Sequence, residues 1–408
     1  MSGIVDVVVV GGGPAGVAAA VELRRLGIGR VVLLEREASL GGATRHCGHS
    51  PFGMREFGRV YVGAAYGQRL DAEARRAGVD VRTGCSVVTF DAACRLTVTT
   101  PTGVETLAAR RLLLATGARE MPRSARLLPG DRPVGVVTTG TLQAGLAFHR
   151  LMPFRRPVVV GSELVSQSAV LTCLTHGARP VAMLETERHA LAPAPFRWFP
   201  ALAGVPFHAG VDLLDLRGAG RVEAVTFRRA DGAIETLDCD GVLLTGRFVP
   251  EASLARQSGV ALDAGSEGPA IDQHGRTRNP RVFAGGNVLR AIETGGWAFR
   301  EGRAVGRAVA ADLARVVESG APRAVTCEPP IKLVVPGLLT PGSDEPPAFR
   351  HFQLRFARRA RGWLSLEIDG REVWAAERSW LPERRVLVPI PPAAANAATV
   401  HFRFREHP

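Results

Sequence analysis

The sequence predicts an α/β chain in which one parallel-sheet domain is inserted into another, with a small β domain at the C-terminal end. Three observations carry this expectation. A strand, a glycine turn, a helix and a second strand open the chain and end on an acidic residue; the same series returns from Pro157; and from about Thr326 the apolar pattern changes to simple alternation.

A chain of 408 residues has room for two or three domains with real cores. With 46% hydrophobic and 22% charged residues it has the composition of a globular protein, which excludes a mainly disordered chain. The 46 glycines and 28 prolines follow no G-x-y period, so they mark turns and not a collagen-like repeat. The balance of 51 Lys plus Arg against 39 Asp plus Glu gives +12, yet Lys332 is the only lysine. The charge is arginine usage. Clusters such as Arg358-Arg359-Ala360-Arg361 are short and no zinc-ligand, helix-turn-helix or RNA-recognition signature accompanies them, so no nucleic-acid partner is expected. Six cysteines without a CxxC pair argue against a disulfide framework, an iron–sulfur cluster or a metal site. Ile4 to Ala20 is apolar but lacks a basic flank and carries Asp6, and no run of about twenty apolar residues follows. A soluble cytoplasmic protein without a transmembrane segment is the expectation.

Taken in order, Val5 to Val10 is a strand, Gly11-Gly12-Gly13-Pro14-Ala15-Gly16 a glycine turn, and Val17 to Leu26 a helix. Val31 to Leu34 is the next strand, and it ends in Glu35 at the distance where a carboxylate reaches a ribose hydroxyl. Gly11 permits the tight turn, Gly13 lets backbone approach a pyrophosphate, and Gly16 allows close helix–strand packing. The pyrophosphate rests on the helix N-terminus, whose unpaired N–H groups and dipole favour an anion. This is a Rossmann-like unit. In the second copy Pro157 to Val160 is the strand, Gly161-Ser162-Glu163-Leu164-Val165-Ser166 the turn, Gln167 to Thr175 the helix, and Val181 to Leu184 the strand leading to Glu185. Here Glu163 and Ser166 replace the second and third fingerprint glycines, and a carboxylate facing a pyrophosphate is unfavourable.

Arg111 to Ala118 ends a strand in Ala115-Thr116-Gly117, and Val242 to Pro250 repeats that design. Arg281 to Val288 is a strand opening into Gly285-Gly286-Asn287, followed by a helix-prone stretch from Trp297 to Val317. In the tail, Phe352 to Phe356, Trp363 to Ile368 and Val400 to Phe404 alternate apolar and polar residues as half-buried antiparallel strands, with Asp369-Gly370 as a hairpin turn. The domain boundaries follow: 1–120 with 265–325 for the first domain, 121–264 for the second, and 326–408 for a β-sandwich-like domain.

The Gly11-to-Gly16 fingerprint, Glu35, Gly41-Gly42, Ala115-Thr116-Gly117, Thr245-Gly246 and Val282-to-Asn287 together resemble the two-dinucleotide-domain flavoproteins of the pyridine nucleotide-disulfide oxidoreductase superfamily, over about residues 4 to 318. The resemblance implies FAD held by Gly11, Gly13, Pro14, Ala15 and Gly16 at the pyrophosphate, with Glu35 and Arg36 at the adenosine ribose and Val87 near the adenine. Gly42 lets the chain pass close to the cofactor, Ala115, Thr116 and Gly117 pack under it, and Gly286, Asn287 and Val288 take the ribityl and phosphate region. Asn287 stands where the superfamily usually has Asp. NAD(P)H or another adenine nucleotide is the ligand implied for the second domain, against which Glu163 and Ser166 count.

The disulfide-reductase branch carries GG-x-C-x-x-x-x-C-x-P at the flavin. Gly41 to Pro51 keeps that frame but has Thr44 and His49 in place of the two cysteines, which points away from disulfide-reductase chemistry. The stretch His46 to Gly53, the expected Tyr61 to Leu70 helix and the β-rich tail look most like a narrower group. These are bacterial FAD proteins accompanying glycerol-3-phosphate-dehydrogenase-like enzymes, with relatives in heteromeric proline, hydroxyproline and opine dehydrogenases. That likeness implies an electron-transferring subunit of a multi-component dehydrogenase acting on an amino acid, an amine or a glycerol-3-phosphate-like metabolite, with a second flavoprotein, an iron–sulfur subunit or both as partners. A self-contained NAD(P)H-dependent flavin oxidoreductase and a weakly catalytic flavin-stabilised scaffold are the alternatives.

The candidate catalytic residues are His46, Cys47 and His49. An imidazole suits proton transfer beside hydride or electron transfer, and the bland alternative is hydrogen bonding to phosphate or backbone. Cys47 as a nucleophile needs a depressed pKa, for which Arg45 is the nearby cation; packing is the alternative role. Glu293 and Arg300 flank Gly295-Gly296-Trp297 and are further candidates to line the site, or else a solvated helix start and an ion pair.

Overall fold

Val7 to Val10 are four consecutive valines buried on both faces, the pattern of a strand in the middle of a parallel sheet covered by helices. In the computed structural model, which describes residues 4–314, 320–342 and 346–407, the strand Val5–Val10 pairs in parallel with Val31–Glu35 on one side and Gly103–Leu114 on the other. Asp80–Thr83 extends the sheet beyond Val31–Glu35, and Val282–Ala284 lies parallel to Gly103–Leu114. Arg95–Thr100 and Ser86–Phe90 add an antiparallel flank to make seven strands.

The chain divides into two compact units: Met1–Arg45, Pro51–Ala118 and Val249–Pro408 form one, and His46–Ser50 with Arg119–Phe248 form the other. Residues 249–264, which the sequence reading groups with the second domain, pack in the first unit. Ala255 is buried in its core and the Ser258 hydroxyl accepts the Phe90 N–H at 3.0 Å.

In the first unit the helix Pro14–Arg25 lies against the long helix Gly295–Ala314. Glycines make that approach close: a Cβ at Gly302 would sit 2.0 Å from the Ala15 carbonyl oxygen, and one at Gly306 would sit 2.9 Å from that of Ala19. The described helix ends at Ala314; residues 315–317 of the helix-prone stretch lie outside the described residues. The helix expected over Tyr61 to Leu70 runs instead from Gly63 to Arg76, because Tyr61 exchanges both backbone hydrogen bonds with Phe52.

The tail of the same unit is two sheets around one core. A five-stranded sheet includes Ala360–Ile368, Arg371–Trp380 and Val400–Glu406, and a three-stranded sheet consists of Ile331–Val335, His351–Phe356 and Val386–Pro389. Phe352, Phe356, Leu364, Leu366 and Phe402 meet between them. Asp369 and Gly370 both take positive φ, 49° and 75°, at the tip of the hairpin, as a two-residue turn between twisted strands requires.

The second unit has a wholly parallel five-stranded sheet in the order Phe207–Ala209, Ala182–Glu185, Pro157–Val160, Gly241–Leu244, Val136–Thr138. Helices Thr139–His149 and Leu164–Thr175 belong to this unit, as does an antiparallel three-stranded sheet over Asp212–Arg217, Ala224–Arg228 and Ile234–Asp238. Among the described residues no helix is long and apolar enough to cross a membrane, and no three metal-ligating side chains converge.

Candidate functional site

Parallel strands expose their carboxyl ends at one edge, and a helix that starts there turns its unpaired N–H groups toward the same edge. In the first unit Val5–Val10 ends at the turn Gly11 to Gly13, and Gly13 is the N-cap of Pro14–Arg25 with no side-chain cap. Two of the three fingerprint glycines are required by the fold. A Cβ on Gly11, where φ is +109°, would lie 2.4 Å from the Ala115 carbonyl oxygen, and one on Gly16 would lie 1.9 Å from that of Gly11.

Gly13 differs. Its backbone is extended, with φ −77° and ψ −176°, and an added Cβ would meet only the Cα of Gly42, at 3.9 Å. No internal contact demands glycine there, so the space in front of the helix N-terminus is a cradle that a side chain would fill. Gly42 (φ +54°) approaches that turn, and Gly286 (φ +81°) leaves room for Ala15, which a Cβ would meet at 2.6 Å. The Glu35 carboxylate, buried at the end of its strand, accepts the N–H of Gly12 at 2.8 Å and that of Glu37 at 2.9 Å. Each oxygen keeps a further lone pair for a ribose hydroxyl.

Other residues of this region take defined places. Gly84 and Cys85 donate their N–H groups to the carbonyls of Glu37 and Glu35, which docks the start of the Val87 strand beside the acidic residue. Arg36 is exposed and pairs with Glu37 at 3.8 Å. The Thr116 hydroxyl donates to the Glu251 carbonyl at 2.7 Å and the Glu251 N–H returns to the Gly117 carbonyl at 2.8 Å. Asn287 spends its amide on its own loop: Nδ2 donates to the Glu293 carbonyl at 3.1 Å and Oδ1 accepts the Glu293 N–H at 2.8 Å. The first of these bonds needs an amide; an ionised Asp has no donor for it. The structure thus gathers Gly11, Gly13, Pro14, Ala15, Gly16, Glu35, Gly42, Ala115, Thr116, Gly117, Gly286, Asn287 and Val288 in the first unit. Open helix N-terminus, ribose-length carboxylate and glycine-lined approach fit an FAD pyrophosphate and its adenosine.

Sequence reasoning missed what holds the Gly286–Asn287 turn. Arg290 is 1% exposed and Glu301 is 8% exposed. The Arg290 guanidinium donates to both Glu301 oxygens and to Gln353 Oε1, while Glu301 Oε1 also accepts the Gly286 N–H at 2.8 Å. Glu293 is bridged by Arg355 at 2.6 Å and Arg385 at 2.5 Å, and the Arg385 guanidinium lies 3.6 Å from the centre of the Trp297 ring. Arg300 lies 5.3 Å from the same ring. The β domain therefore anchors the turn at the head of the long helix. One signal was available: Glu301 shares a helical stripe with Val305, Ala308 and Asp312, and an acid on an apolar stripe calls for a buried cation.

Residues 46–50 belong with the second unit. The Cys47 thiol donates to Gln143 Oε1 at 3.8 Å, and the His46 ring meets the Phe148 ring edge-on at 6.3 Å. Lost solvation, and then the Glu120 carboxyl, push the Cys47 thiol up to about 11, so it is protonated at neutral pH. Burial likewise raises Glu120, whose Oε2 accepts the Gly140 N–H at 2.7 Å. Arg45, the cation offered by the sequence to acidify Cys47, is engaged with Gly42, Ser39 and Glu37. Thr44 donates its hydroxyl to the Gly41 carbonyl at 2.8 Å.

The second unit repeats the strand–turn–helix with different side chains. Gly161 keeps a positive φ of +114°. Ser162 donates its hydroxyl to the Glu185 carboxylate and accepts the Leu191 N–H at 2.9 Å. Ser166 and Thr245 share a hydroxyl–hydroxyl bond of 2.6 Å. Glu163 is the N-cap residue of Leu164–Thr175, and its Oε1 accepts the Arg247 N–H at 2.8 Å.

Residues 5–302 match the family described as pyridine nucleotide-disulphide oxidoreductase. An opine oxidase subunit of Agrobacterium tumefaciens (strain Ach5) is 26% identical over 323 residues, covering 70% of this chain and 62% of that protein. Hydrogen cyanide synthase subunit HcnB of Pseudomonas aeruginosa is 27% identical over 283 residues, covering 62% and 59%. This chain thus spans about three-fifths of the length of these curated relatives. The T. acidophilum thioredoxin reductase structure superimposes with a TM-score of 0.63 at 21% identity, over 76% of this chain and 99% of that one.

Proposed function

The chain belongs to the pyridine nucleotide-disulphide oxidoreductase family of flavin-dependent oxidoreductases, and from that premise we propose that it is the electron-transferring FAD subunit of a multi-component dehydrogenase acting on a small amino acid, amine or glycerol-3-phosphate-like metabolite. One observation carries the reading: the cradle suited to FAD is complete, while the two positions of a flavin-side redox disulfide hold Thr44 and His49. Two relatives named as enzyme subunits support it.

Bound FAD would supply two-electron acceptance and onward electron transfer. The chain's residues supply the binding. The N–H groups at the start of Pro14–Arg25 receive the pyrophosphate, with Gly13 and Gly42 permitting its approach. Glu35 holds the adenosine ribose, and the Gly286–Val288 turn closes on the ribityl and phosphate side, kept in place by Glu301. Cys47, protonated and bound to Gln143, serves as a packed hydrogen-bond donor and not as a nucleophile. Proton handling falls to His46 or His49.

The test is anaerobic. With the isolated chain, NADH or NADPH leaves the flavin absorbance unchanged, whereas the companion subunit with its substrate bleaches it. Rapid bleaching by either nicotinamide nucleotide alone would overturn the assignment in favour of a self-contained oxidoreductase, and turnover by the isolated chain would remove the need for a partner.

A further inference from the structure

We infer that the second unit's dinucleotide cradle is closed from within: Glu163, at the position where the first unit has Gly13, lays its side chain against the Thr245–Arg247 turn with its carboxylate on the Arg247 N–H, and the unit takes no pyrophosphate-bearing nucleotide. This deepens the electron-transfer reading, on which it rests, by removing the route by which NAD(P)H would feed the flavin.

The argument starts from two equal backbones. Gly13 and Glu163 are both N-caps of twelve-residue helices at the end of a central parallel strand, with φ, ψ of −77°, −176° and −65°, 174°. The backbone alone accepts a side chain at either position, so the residue reports what stands in front of the helix. In the first unit no described side chain does. In the second, the glutamate side chain folds across the Thr245–Gly246–Arg247 turn, so closely that a Cβ on Gly246 would lie 2.1 Å from Glu163 Oε1.

That turn is built to receive it. Arg247 holds a left-handed φ of 49°, unusual for a residue with a side chain, and presents its N–H to Glu163 Oε1. The buried Arg126 guanidinium also donates to the carbonyls of Thr245 at 3.0 Å and Gly246 at 2.8 Å. Two further side chains replace glycines of the first turn. Ser162 spans from the Glu185 carboxylate to the Leu191 N–H. Ser166 stands where the first unit leaves no room for a Cβ, and its hydroxyl is tied to Thr245. A carboxylate carried by the N-cap residue repels an anion brought to the same turn.

Titration calorimetry of the FAD-loaded full chain with NAD+, NADP+ and ADP-ribose tests this, with E163G, E163Q and the double variant E163G/S166G alongside. The wild type shows no heat of binding up to millimolar ligand. E163G, alone or with S166G, gains affinity by about 100-fold or more, and E163Q, which keeps the bulk and loses the charge, gains less than E163G. Unchanged FAD content and circular dichroism establish that the variants are folded. Micromolar binding by the wild type, or folded glycine variants that gain nothing, would overturn the inference. Oxidised ligands keep the two failures apart: NAD+ binding without flavin reduction by NADH sinks this inference alone, whereas flavin reduction by NADH sinks the functional reading.

Discussion

Gly13→Ala and Gly16→Ala separate a ligand requirement from a folding requirement within a single turn of chain. At Gly13 a Cβ meets nothing nearer than 3.9 Å, so alanine costs the flavin-free fold only the N-cap difference between glycine and alanine, about 0.5–1 kcal/mol. The new methyl group instead stands before the unpaired N–H groups and holds a phosphate away. One misfitting methyl costs about 1–3 kcal/mol, or about 5- to 150-fold in FAD affinity. At Gly16 a Cβ would lie 1.9 Å from the Gly11 carbonyl oxygen. Ordinary C···O contact is about 3.3 Å, so the helix must withdraw by about 1.4 Å from the turn, at the upper end of the about 1–3 kcal/mol that overpacking costs, or above it. Thermal unfolding of flavin-stripped protein, paired with FAD titration by flavin fluorescence, measures both terms. Gly13→Ala melts near the flavin-free wild type and binds FAD more weakly; Gly16→Ala melts lower before any FAD is added. Wild-type FAD affinity in Gly13→Ala would refute the reasoning, because the pyrophosphate could not then rest on this helix.

Three further outcomes follow from buried and half-buried groups. Arg290→Met leaves Glu301 without its buried cation and lowers stability by about 3–5 kcal/mol, read from urea unfolding, with FAD retention falling as the Gly286 turn loosens. His274 is 1% exposed with neither ring nitrogen hydrogen-bonded among the described residues, and burial holds its pKa below the usual value. The unfolded chain therefore binds a proton that the folded one refuses, and stability falls as pH drops through about 6.5; His274→Phe flattens that slope in urea midpoints measured across this range. Cys47, with its thiol pushed up to about 11, reacts slowly with iodoacetamide at pH 7.5 and faster as pH rises toward that value, as peptide mapping after timed alkylation shows; rapid labelling at pH 7.5 would contradict its environment.

The legible parts of the molecule were those where one local rule dominates. Val7 to Val10 could only be a strand buried on both faces, and the glycine turn after it announces a helix start within a few residues. Asp369-Gly370 declared its hairpin because two consecutive positive φ values are cheap only for such pairs. Illegible were the pairings across hundreds of residues. Nothing near Arg290 in the chain says that Gln353 will accept from it, or that Arg355 and Arg385 will converge on Glu293. Such contacts depend on how the tail sandwich docks on the long helix, a tertiary outcome without a periodicity. The segment 46–50 failed in the same way. Its motif frame is local, but the partners Gln143 and Glu120 that set the state of Cys47 arrive from a strand and a helix of the second unit, some 70 to 100 residues further along.

The two turns also show how a nucleotide-type fold holds its geometry when the glycines of its turn are replaced. A Rossmann turn leaves N–H groups unpaired at a helix start, and those groups need an acceptor whether or not a nucleotide comes. In the first unit that need is left to a ligand, and glycine keeps the approach open. In the second, each departure from glycine brings an oxygen with it: Ser162 to Glu185 and Leu191, Ser166 to Thr245, Glu163 to Arg247. These bonds tie the turn to its neighbours and are not caps on the helix start. The expectation is a difference in apo stability between the units, checked by hydrogen exchange on flavin-free protein. The 161–166 turn, tied by these side chains, stays protected while the 11–16 turn opens, and FAD restores protection to the 11–16 turn alone. Equal protection of both turns without FAD would mean that the side-chain bonds of the second do not hold it.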